Sequence, residues 1–172
     1  MVANFASGNI GDINGHGTAI AGVAAANNWG VSRSARVYGI RVFDANGSGT
    51  TSGVISGFNF VTRDAAGRSC PSGVFVSFAA AAPFSSSLNS AASAVVSAGH
   101  FVASEAGATG VNVAAVSPAA ANGVCSVGST DRTDTVTPDS NYGAIDIYAP
   151  GWGVTSLAPG GGSVSLLPSG HI

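Results

Sequence analysis

Charged side chains are scarce in this sequence. Only 8% of the 172 residues are charged, all six basic residues are arginine, and the formal net charge is −2. A surface that binds nucleic acid or an anionic membrane needs a cluster of basic side chains, and the sequence contains no such cluster. We therefore expect neither nucleic acid nor membrane among the partners of this chain.

Long apolar runs are absent as well. The mean hydropathy is positive, at +0.36. However, glycine, serine, asparagine or arginine interrupts the chain well before the roughly 18 apolar residues that a transmembrane helix needs. The first residues, MVANFASGNIGD, lack the basic and apolar blocks of a signal peptide. These absences predict a soluble chain that carries no export signal.

Cysteine is also rare. The two cysteines, Cys70 and Cys125, could form one disulfide or remain free thiols, and their number does not decide between these states. Glycine, in contrast, is abundant at 25 residues, within a composition that is 45% hydrophobic. Such a composition is typical of a packed domain and not of a disordered chain, and 172 residues suffice for one domain with a core.

The apolar residues alternate between the period of a strand and the period of a helix. Apolar and β-branched runs bounded by turn residues predict strands over residues 35–43, 73–79, 101–106, 123–129 and 144–150. Apolar residues at helical spacing predict helices over residues 52–64 and 86–99. This alternation favours an α/β fold with a mainly parallel sheet flanked by helices. The pattern ends near Gly151, and we expect a loop from there onward.

One histidine has surroundings that suit catalysis. His16 lies in NGHGTAIAGV, residues 14–23, between two glycines and before a run of small residues that can begin a helix. Flanking glycines let a substrate approach the backbone, and a histidine ring gains and loses a proton near neutral pH. On this short motif alone, a turn histidine held by local hydrogen bonds is the better interpretation.

Longer segments of the sequence indicate that the chain, including the motif around His16, descends from a known family. They are NGHGTAIAGVAA, NNWGVSRSARVYGIRVFDANGSGT, SSLNSAASAVVSAG, SPAAANGVCSVGSTDR and SNYGAIDIYAPG. Their order and spacing resemble those of the subtilisin-like serine proteases, or subtilases, and above all those of the secreted fungal proteinase K branch. The resemblance extends from about Val2 to about Gly162.

The resemblance implies a fold, a location and an activity. The fold is a three-layer α/β architecture with a mainly parallel sheet flanked by helices, incomplete in this chain. Residues 1–162 then form a partial catalytic domain and residues 163–172 a divergent tail. The location is extracellular. The activity is hydrolysis of peptide bonds by an Asp-His-Ser triad, in which His16 matches the histidine.

Compared with the family, this chain lacks several parts of that mechanism. The triad Asp belongs to an Asp-Thr-Gly motif upstream of the residues present here, and the family gives Asp12 no triad role. The serine position falls at His171 or Ile172, and the nearby Ser169 has no helix to present its hydroxyl. The asparagine that donates to the oxyanion is replaced by Ala108, whose methyl group cannot donate a hydrogen bond.

Other positions have changed as well. The family's substrate-binding strand reads Ser-Leu-Gly-Gly, whereas this chain has Ala79, Ala80, Ala81 and Ala82, followed by Pro83. Each added Cβ opposes the close approach of a peptide backbone, and proline removes a donor. Glu105 stands where the family has a small apolar residue beside the specificity pocket. A buried catalytic acid and a tolerated substitution both stay open for it. A second helix histidine of the family is Ala19 here.

The resemblance also bears on disulfides and metal. Cys70 and Cys125 match family cysteines whose partners lie in segments absent here, which implies two free thiols. Asp146 matches a carboxylate that binds a structural Ca²⁺ together with the backbone carbonyls of Asn122 and Val124. Oxygen ligands suit this hard cation. The alternative is a strand-end aspartate that caps a turn. Apart from this calcium, the resemblance implies no cofactor.

Two hypotheses about function follow. In the first, the chain is a subtilase homologue without proteolytic activity, either a pseudoprotease that binds a protein or peptide partner or a remnant. In the second, it is a fragment, or a misannotated piece, of an active secreted serine endopeptidase. The family fold covers its sheet with segments that this chain lacks. We therefore also expect either rearranged ends or a sheet covered by another protein or, through self-association, by another copy.

Overall fold

The computed structural model describes residues 2–68, 70 and 73–166. Two short strands and one helix precede the main body of the fold. The elements in chain order are β1 (Ala3–Asn4), α1 (His16–Ala25), β2 (Ile40–Arg41), α2 (Thr51–Ala66), β3 (Phe75–Phe78), β4 (Ala82–Pro83), α3 (Ser86–Ser97), β5 (Phe101–Glu105), a 3-10 turn (Val113–Ala115), β6 (Val116–Ser117), β7 (Cys125–Thr130), β8 (Ile147–Pro150), β9 (Val154–Leu157) and β10 (Ser163–Leu166).

A four-stranded sheet forms the centre of the molecule. Its strand order is β3-β5-β7-β8, and every neighbouring pair is parallel. The helix α3 connects β3 to β5, as expected for a βαβ unit. The predicted α/β architecture with a mainly parallel sheet is therefore confirmed.

The helices α2 and α3 begin at hydroxyl-bearing residues. The side chain of Thr50 accepts a hydrogen bond from the backbone N–H of Gly53, and that of Ser85 accepts one from Leu88. Each bond satisfies a backbone donor that the first helical turn leaves unpaired. These caps explain why the two helices start where the apolar period starts, and both predicted helices are confirmed within three residues at each end.

The same two helices pack together against one face of the sheet, which we call the covered face. Val54 and Phe58 of α2 and Leu88 and Val95 of α3 are buried there with Val102 of β5. This cluster is the main apolar core of the described residues. The ring of Phe58 also lies 5.4 Å from that of Phe78 in β3, which joins α2 to the edge of the sheet.

The opposite face of the sheet, which we call the open face, has no such cover among the described residues. Side chains alternate along a strand, so Phe75, Phe101 and Ile147 point away from the helices. They are 63%, 53% and 55% exposed, and the rings of Phe75 and Phe101 stack with centroids 5.4 Å apart. Between them lie half-buried Ala103 and Val127. The open face is therefore apolar and largely exposed to solvent.

Two predictions about strands are wrong. The strand expected over residues 35–43 is reduced to Ile40–Arg41, because its parallel partner β1 contributes only two paired residues. The loop expected from Gly151 onward contains an antiparallel hairpin, in which Val154 pairs with Leu166 and Leu157 with Ser163. The turn between its strands is closed by bonds between Ala158 and the glycines that follow, which adopt positive φ.

The hairpin packs against the first helix. The hydroxyl of Ser156 donates a hydrogen bond to the carbonyl oxygen of Ala19, and both residues are fully buried. At Gly22 a Cβ would collide with Ser156 and with the backbone of Leu157, so only glycine permits this approach. The hairpin thus holds α1, and with it His16, in place.

Two remaining expectations concern the membrane and the cysteines. No helix in the described part of the chain is both long and apolar enough to cross a bilayer. Cys70 and Cys125 are both free thiols, in agreement with the resemblance. Burial, together with the charge of Asp146, raises the pKa of the Cys125 thiol, which lowers its reactivity.

Candidate functional site

The candidate site lies where α1 begins and where β3 and β5 end. His16 is the first residue of α1, and Gly15 before it is buried with φ of 91°. A side chain at position 15 would be strained in this conformation, which explains the glycine of the NGHG motif. The carboxyl ends of parallel strands are the usual place for a ligand in open α/β sheets.

The imidazole of His16 reaches the first alanine after β3. Its Nε2 lies 2.9 Å from the carbonyl oxygen of Ala79. A carbonyl can only accept a hydrogen bond, so Nε2 must carry the hydrogen. The other ring nitrogen, Nδ1, is buried and has no hydrogen-bond partner among the described residues.

Asp12 is close in sequence to His16, but its carboxylate serves the helix. Oδ2 accepts bonds from the backbone N–H and the hydroxyl of Thr18, and Oδ1 accepts one from the N–H of Gly15. Burial opposes ionisation of Asp12, but these bonds and the nearby His16 hold its pKa below the ordinary value. Asp12 is thus a helix anchor and does not bond to His16, in agreement with the absence of a triad role.

The alanine run continues from β3 across the mouth of the site. Ala82 and Pro83 form β4, which pairs with Ser117 and Val116 of β6. A cavity of about 70 Å³ lies under the run, between it and the covered-face core. It is lined by Phe43, Gly49, Thr50, Thr51, Val54, Phe78, Ala80, Ala81, Ala82 and Leu88. The run thus forms one apolar wall of a shallow cleft.

The turn after β5 packs against the alanine run. Gly107 has φ of 94°, and a Cβ there would lie 2.6 Å from Nδ2 of Asn141 and 3.3 Å from the Cβ of Ala81. Ala108 follows directly, and its methyl group offers no hydrogen-bond donor at the position that the resemblance assigns to oxyanion binding. The alanine run is therefore in close contact with a turn whose oxyanion position has no side-chain donor.

Asn141 supports this turn and was not found from the sequence. Its Nδ2 donates to the carbonyl of Ala106 at 2.7 Å, and its Oδ1 accepts from the N–H and hydroxyl of Thr109 and the N–H of Val111. The side chain is fully buried, and these contacts occupy both its donor and its acceptor ends. It is 30 or more residues from each partner, so no local pattern predicts the cluster.

Glu105 is the last residue of β5 and lies half buried near His16. Burial raises the pKa of its carboxyl, and the charge of His16 acts in the opposite direction. Its carboxylate receives no hydrogen bond from the described residues. The structure places Glu105 beside the imidazole, and both predicted alternatives, a catalytic acid and a tolerated substitution, stay open.

The proposed calcium ligands lie at the other end of β7. Oδ2 of Asp146 accepts bonds from the N–H and hydroxyl of Ser126, each 2.7 Å long, and these bonds lower the pKa of Asp146. The carbonyl of Asn122 accepts a bond from the hydroxyl of Ser93 at 2.9 Å, and Val124 is buried just before β7. The donor set is all oxygen and includes one ionised carboxylate, which fits Ca²⁺ but supplies little charge.

The remaining predicted residues are those at the serine position near the end of the chain and the metal ligands. Ser169, His171 and Ile172 lie outside the described residues. Within the described part of the chain, no group of three or more His, Cys, Asp or Glu side chains is placed to hold a metal ion. Any calcium site here would therefore depend on backbone carbonyls as well as on Asp146.

Comparisons with known proteins agree with this fold. A model of the subtilase family matches residues 4–166. Proteinase T from Parengyodontium album is 43% identical over 158 residues, which are 91% of this chain and 54% of that protein. The cuticle-degrading protease from Metarhizium anisopliae is 40% identical over 157 residues, 91% of this chain and 40% of that protein.

A solved structure gives the same result in three dimensions. The crystal structure of a cold adapted subtilisin-like serine proteinase superposes with a TM-score of 0.88 at 32% identity, over 95% of this chain and 59% of that one. The chain spans about half the length of the relatives it matches. The predicted resemblance to proteinase K-like fungal proteases is confirmed, and the chain belongs to the subtilase family.

Proposed function

We propose that this chain holds a peptide or protein partner in a subtilase-type cleft without hydrolysing peptide bonds. The observation that carries the proposal is the hydrogen bond from Nε2 of His16 to the carbonyl of Ala79. In the triad mechanism this nitrogen accepts the proton of the nucleophile, and it needs a free lone pair to do so. With its hydrogen on Nε2, the ring has no lone pair on the nitrogen that the triad mechanism uses as general base.

The other ring nitrogen supports the same interpretation. In an active triad, a carboxylate accepts the hydrogen of Nδ1 and so fixes the reactive tautomer. Here Nδ1 of His16 is buried without a partner among the described residues, and Asp12 is committed to Thr18 and Gly15. Within that part of the chain, no hydrogen-bond acceptor lies at Nδ1 to hold the hydrogen there.

The oxyanion position adds a second, independent argument. Loss of one oxyanion donor removes about 3–4 kcal/mol of transition-state stabilisation in an intact member of such a family. Ala108 has no side-chain donor, and the amide of Asn141, which lies against the preceding Gly107, donates to the carbonyl of Ala106. Because Ala108 lies inside the chain, this argument does not depend on any segment before or after it.

A combined activity test addresses the proposal directly. The purified chain is incubated with a broad chromogenic peptide substrate and with a serine-directed phosphonate probe, next to a proteinase K-like relative as positive control. We expect no turnover and no covalent labelling. Stoichiometric labelling of any serine, or turnover that the probe abolishes, would overturn the proposal.

The tautomer itself can be measured. Long-range ¹H–¹⁵N correlation in the histidine rings distinguishes a hydrogen on Nε2 from one on Nδ1, and His100→Gln and His171→Gln variants assign the His16 signals. We expect the Nε2–H pattern for His16 at a pH where the ring is neutral. An Nδ1–H pattern would remove the observation on which the proposal stands.

The second candidate is a fragment of an active secreted serine endopeptidase. The helix that presents His16 is intact, and the chain spans about half of its relatives, both of which favour this candidate. The coding sequence on either side decides between the two. An in-frame Asp-Thr-Gly upstream and Gly-Thr-Ser-Met-Ala downstream would favour the fragment, and their absence would favour the non-hydrolysing protein.

Three further proposals complete this function. The resemblance to secreted proteases leads us to propose an extracellular location, which detection of the chain in culture medium and not in cell extract would support.

Asp146, with the carbonyls of Asn122 and Val124, is the proposed structural Ca²⁺ site. The open face, with the stacked Phe75 and Phe101, is the proposed surface of self-association, since a net charge of −2 opposes the approach of a second copy only weakly.

A further inference from the structure

The carboxylate of Glu105 forms no salt bridge with the described residues, although His16 lies near it. The ion pair found among the described residues joins Arg68 to Asp64, far along the chain from β5. Glu105 is half buried, and its carboxylate receives no hydrogen bond from those residues. A buried carboxylate without a counter-charge is unfavourable, and a bound cation reduces that cost.

The register of the sheet places Glu105 beside the alanine run. Phe78 of β3 pairs with Ser104 of β5, so the next residues along the two strands, Ala79 and Glu105, are neighbours. Phe78 packs into the core of the covered face. Because side chains alternate along a strand, Ala79 after Phe78 and Glu105 after Ser104 both point toward the open face. Ala79 is also the residue whose carbonyl accepts the bond from His16.

The side chains around Glu105 on this face are small or apolar. Ala103 precedes it by two residues on the same strand, and Val127 pairs with it across β7. Ala103 and Val127 have no side-chain donor. The hydroxyls of Ser77 and Ser129 lie on the same face, two residues along the neighbouring strands, and neither bonds to the carboxylate. The turn at Gly107 lies against the small side chain of Ala81 in the alanine run. A long cationic side chain is the kind of group that the carboxylate favours.

We propose that Glu105 makes this end of the sheet a binding site for the arginine or lysine side chain of a peptide laid along the alanine run. The proposal rests on the proposed function, a cleft that holds a peptide without hydrolysing it, and adds the charge class of that peptide. Arginine suits the site best, because its planar guanidinium donates two parallel hydrogen bonds to one carboxylate.

Paired peptides test this site. Alanine-rich decapeptides with one central arginine, or with citrulline as its uncharged isostere, are titrated against the chain by fluorescence anisotropy. We expect the arginine peptide to bind about tenfold more tightly than the citrulline peptide, the discrimination typical of one charge-assisted hydrogen-bonded pair. We expect this preference to disappear in Glu105→Gln.

A control variant separates the site from general charge. Asp134→Asn also removes one negative charge, at an exposed turn residue with φ of 60°, a conformation that asparagine adopts readily. We expect it to keep the arginine preference. Glu105→Ala serves as a second variant if the glutamine variant does not fold, because the neighbouring side chains are themselves small.

The outcomes separate this inference from the function on which it rests. Equal binding of the two peptides, a preference that survives in both Glu105 variants, or no binding of either peptide would overturn the inference. Cleavage of the peptides, detected by mass spectrometry of the same samples, would instead contradict the proposed absence of hydrolysis. An arginine preference that depends on Glu105 supports the site whether or not cleavage is seen.

Discussion

The covered face and the open face of the central sheet are built from the same four strands but have different surroundings. Val102 of β5 is almost completely buried beneath α2 and α3, whereas its neighbour Phe101 is 53% exposed on the other side. Strands that are apolar on both faces are typical of parallel sheets covered on both sides. The described residues supply that cover for one face only, so the open face has the apolar pattern of a covered face but is exposed to solvent.

The largest expected effect belongs to the covered face. Leu88→Ala removes a buried side chain from the contact between α3 and the sheet, and we expect the free energy of unfolding to fall by about 2–5 kcal/mol. Phe101→Ala on the open face should change it by about 1 kcal/mol or less, as exposed substitutions usually do. Denaturant unfolding of both variants measures the difference. Similar losses would mean that the open face is covered in solution.

The next prediction concerns self-association. Phe75→Ser combined with Phe101→Ser removes the stacked pair from the open face, so we expect less binding of a hydrophobic dye and a smaller mass by light scattering. Phe84→Ser is the matched control, since Phe84 is 59% exposed but lies outside the four-stranded sheet. A wild-type chain that is already a monomer and binds no dye would contradict this prediction.

Calcium should have a smaller effect on the free energy of unfolding. Its proposed site lies at the edge of the sheet and belongs to neither face. At a Ca²⁺ concentration about ten times its dissociation constant, binding to the folded state alone raises the free energy of unfolding by about 1.4 kcal/mol. We expect this gain in the wild type and its loss in Asp146→Asn, with magnesium as the control ion. Equal gains in both proteins would exclude Asp146 as a ligand.

Asp146 also predicts a dependence on pH without metal. Its folded-state pKa is lowered by the bonds from Ser126, so its stabilising effect is present above the unfolded pKa and is lost as the pH falls through the folded value. Asp146→Asn should therefore narrow the stability difference between neutral and acidic pH. If the free energy of unfolding depended on pH equally in the wild type and in the variant, the lowered pKa of Asp146 would be contradicted.

The smallest expected effect comes from Glu105, the one ionisable side chain of the open face near His16. Its folded-state pKa is raised by burial, so the stabilising effect is present below the unfolded pKa and is lost as the pH rises through the folded value. Glu105→Gln should therefore be more stable than the wild type near neutral pH, with a difference that shrinks in acid. Denaturant midpoints of the wild type and Glu105→Gln at both pH values measure this, and an equal difference at both would contradict the prediction.

Much of the covered face was predictable from the sequence. The apolar spacing of α2 and α3 and the β-branched runs of β3, β5 and β7 are local patterns, and each element forms where its pattern predicts. The hairpin of β9 and β10 escaped prediction, because short runs rich in serine and glycine carry a weak period. β2 was overestimated, because the length of a strand depends on a partner as well as on its own residues.

The candidate site was predictable in part. The motif around His16 correctly indicated a helix start, but the register that brings Glu105 beside the alanine run was not predicted, because a parallel sheet fixes neither the strand order nor the register. The bond between His16 and Ala79 joins residues 63 positions apart, and the cluster around Asn141 joins residues 30 to 35 positions apart. Contacts of this kind depend on how the elements pack, and no local pattern encodes them.

The bond between Ser156 and Ala19 has a consequence for how the chain responds to cutting. It joins two segments 137 residues apart, so the first helix and the late hairpin close the polypeptide into a loop that contains nearly the whole sheet. A protease that cuts an exposed turn within this loop would leave two pieces that remain associated through the contact between α1 and β9. Such a nicked molecule would keep the mass and shape of the intact one until denaturant separates its pieces.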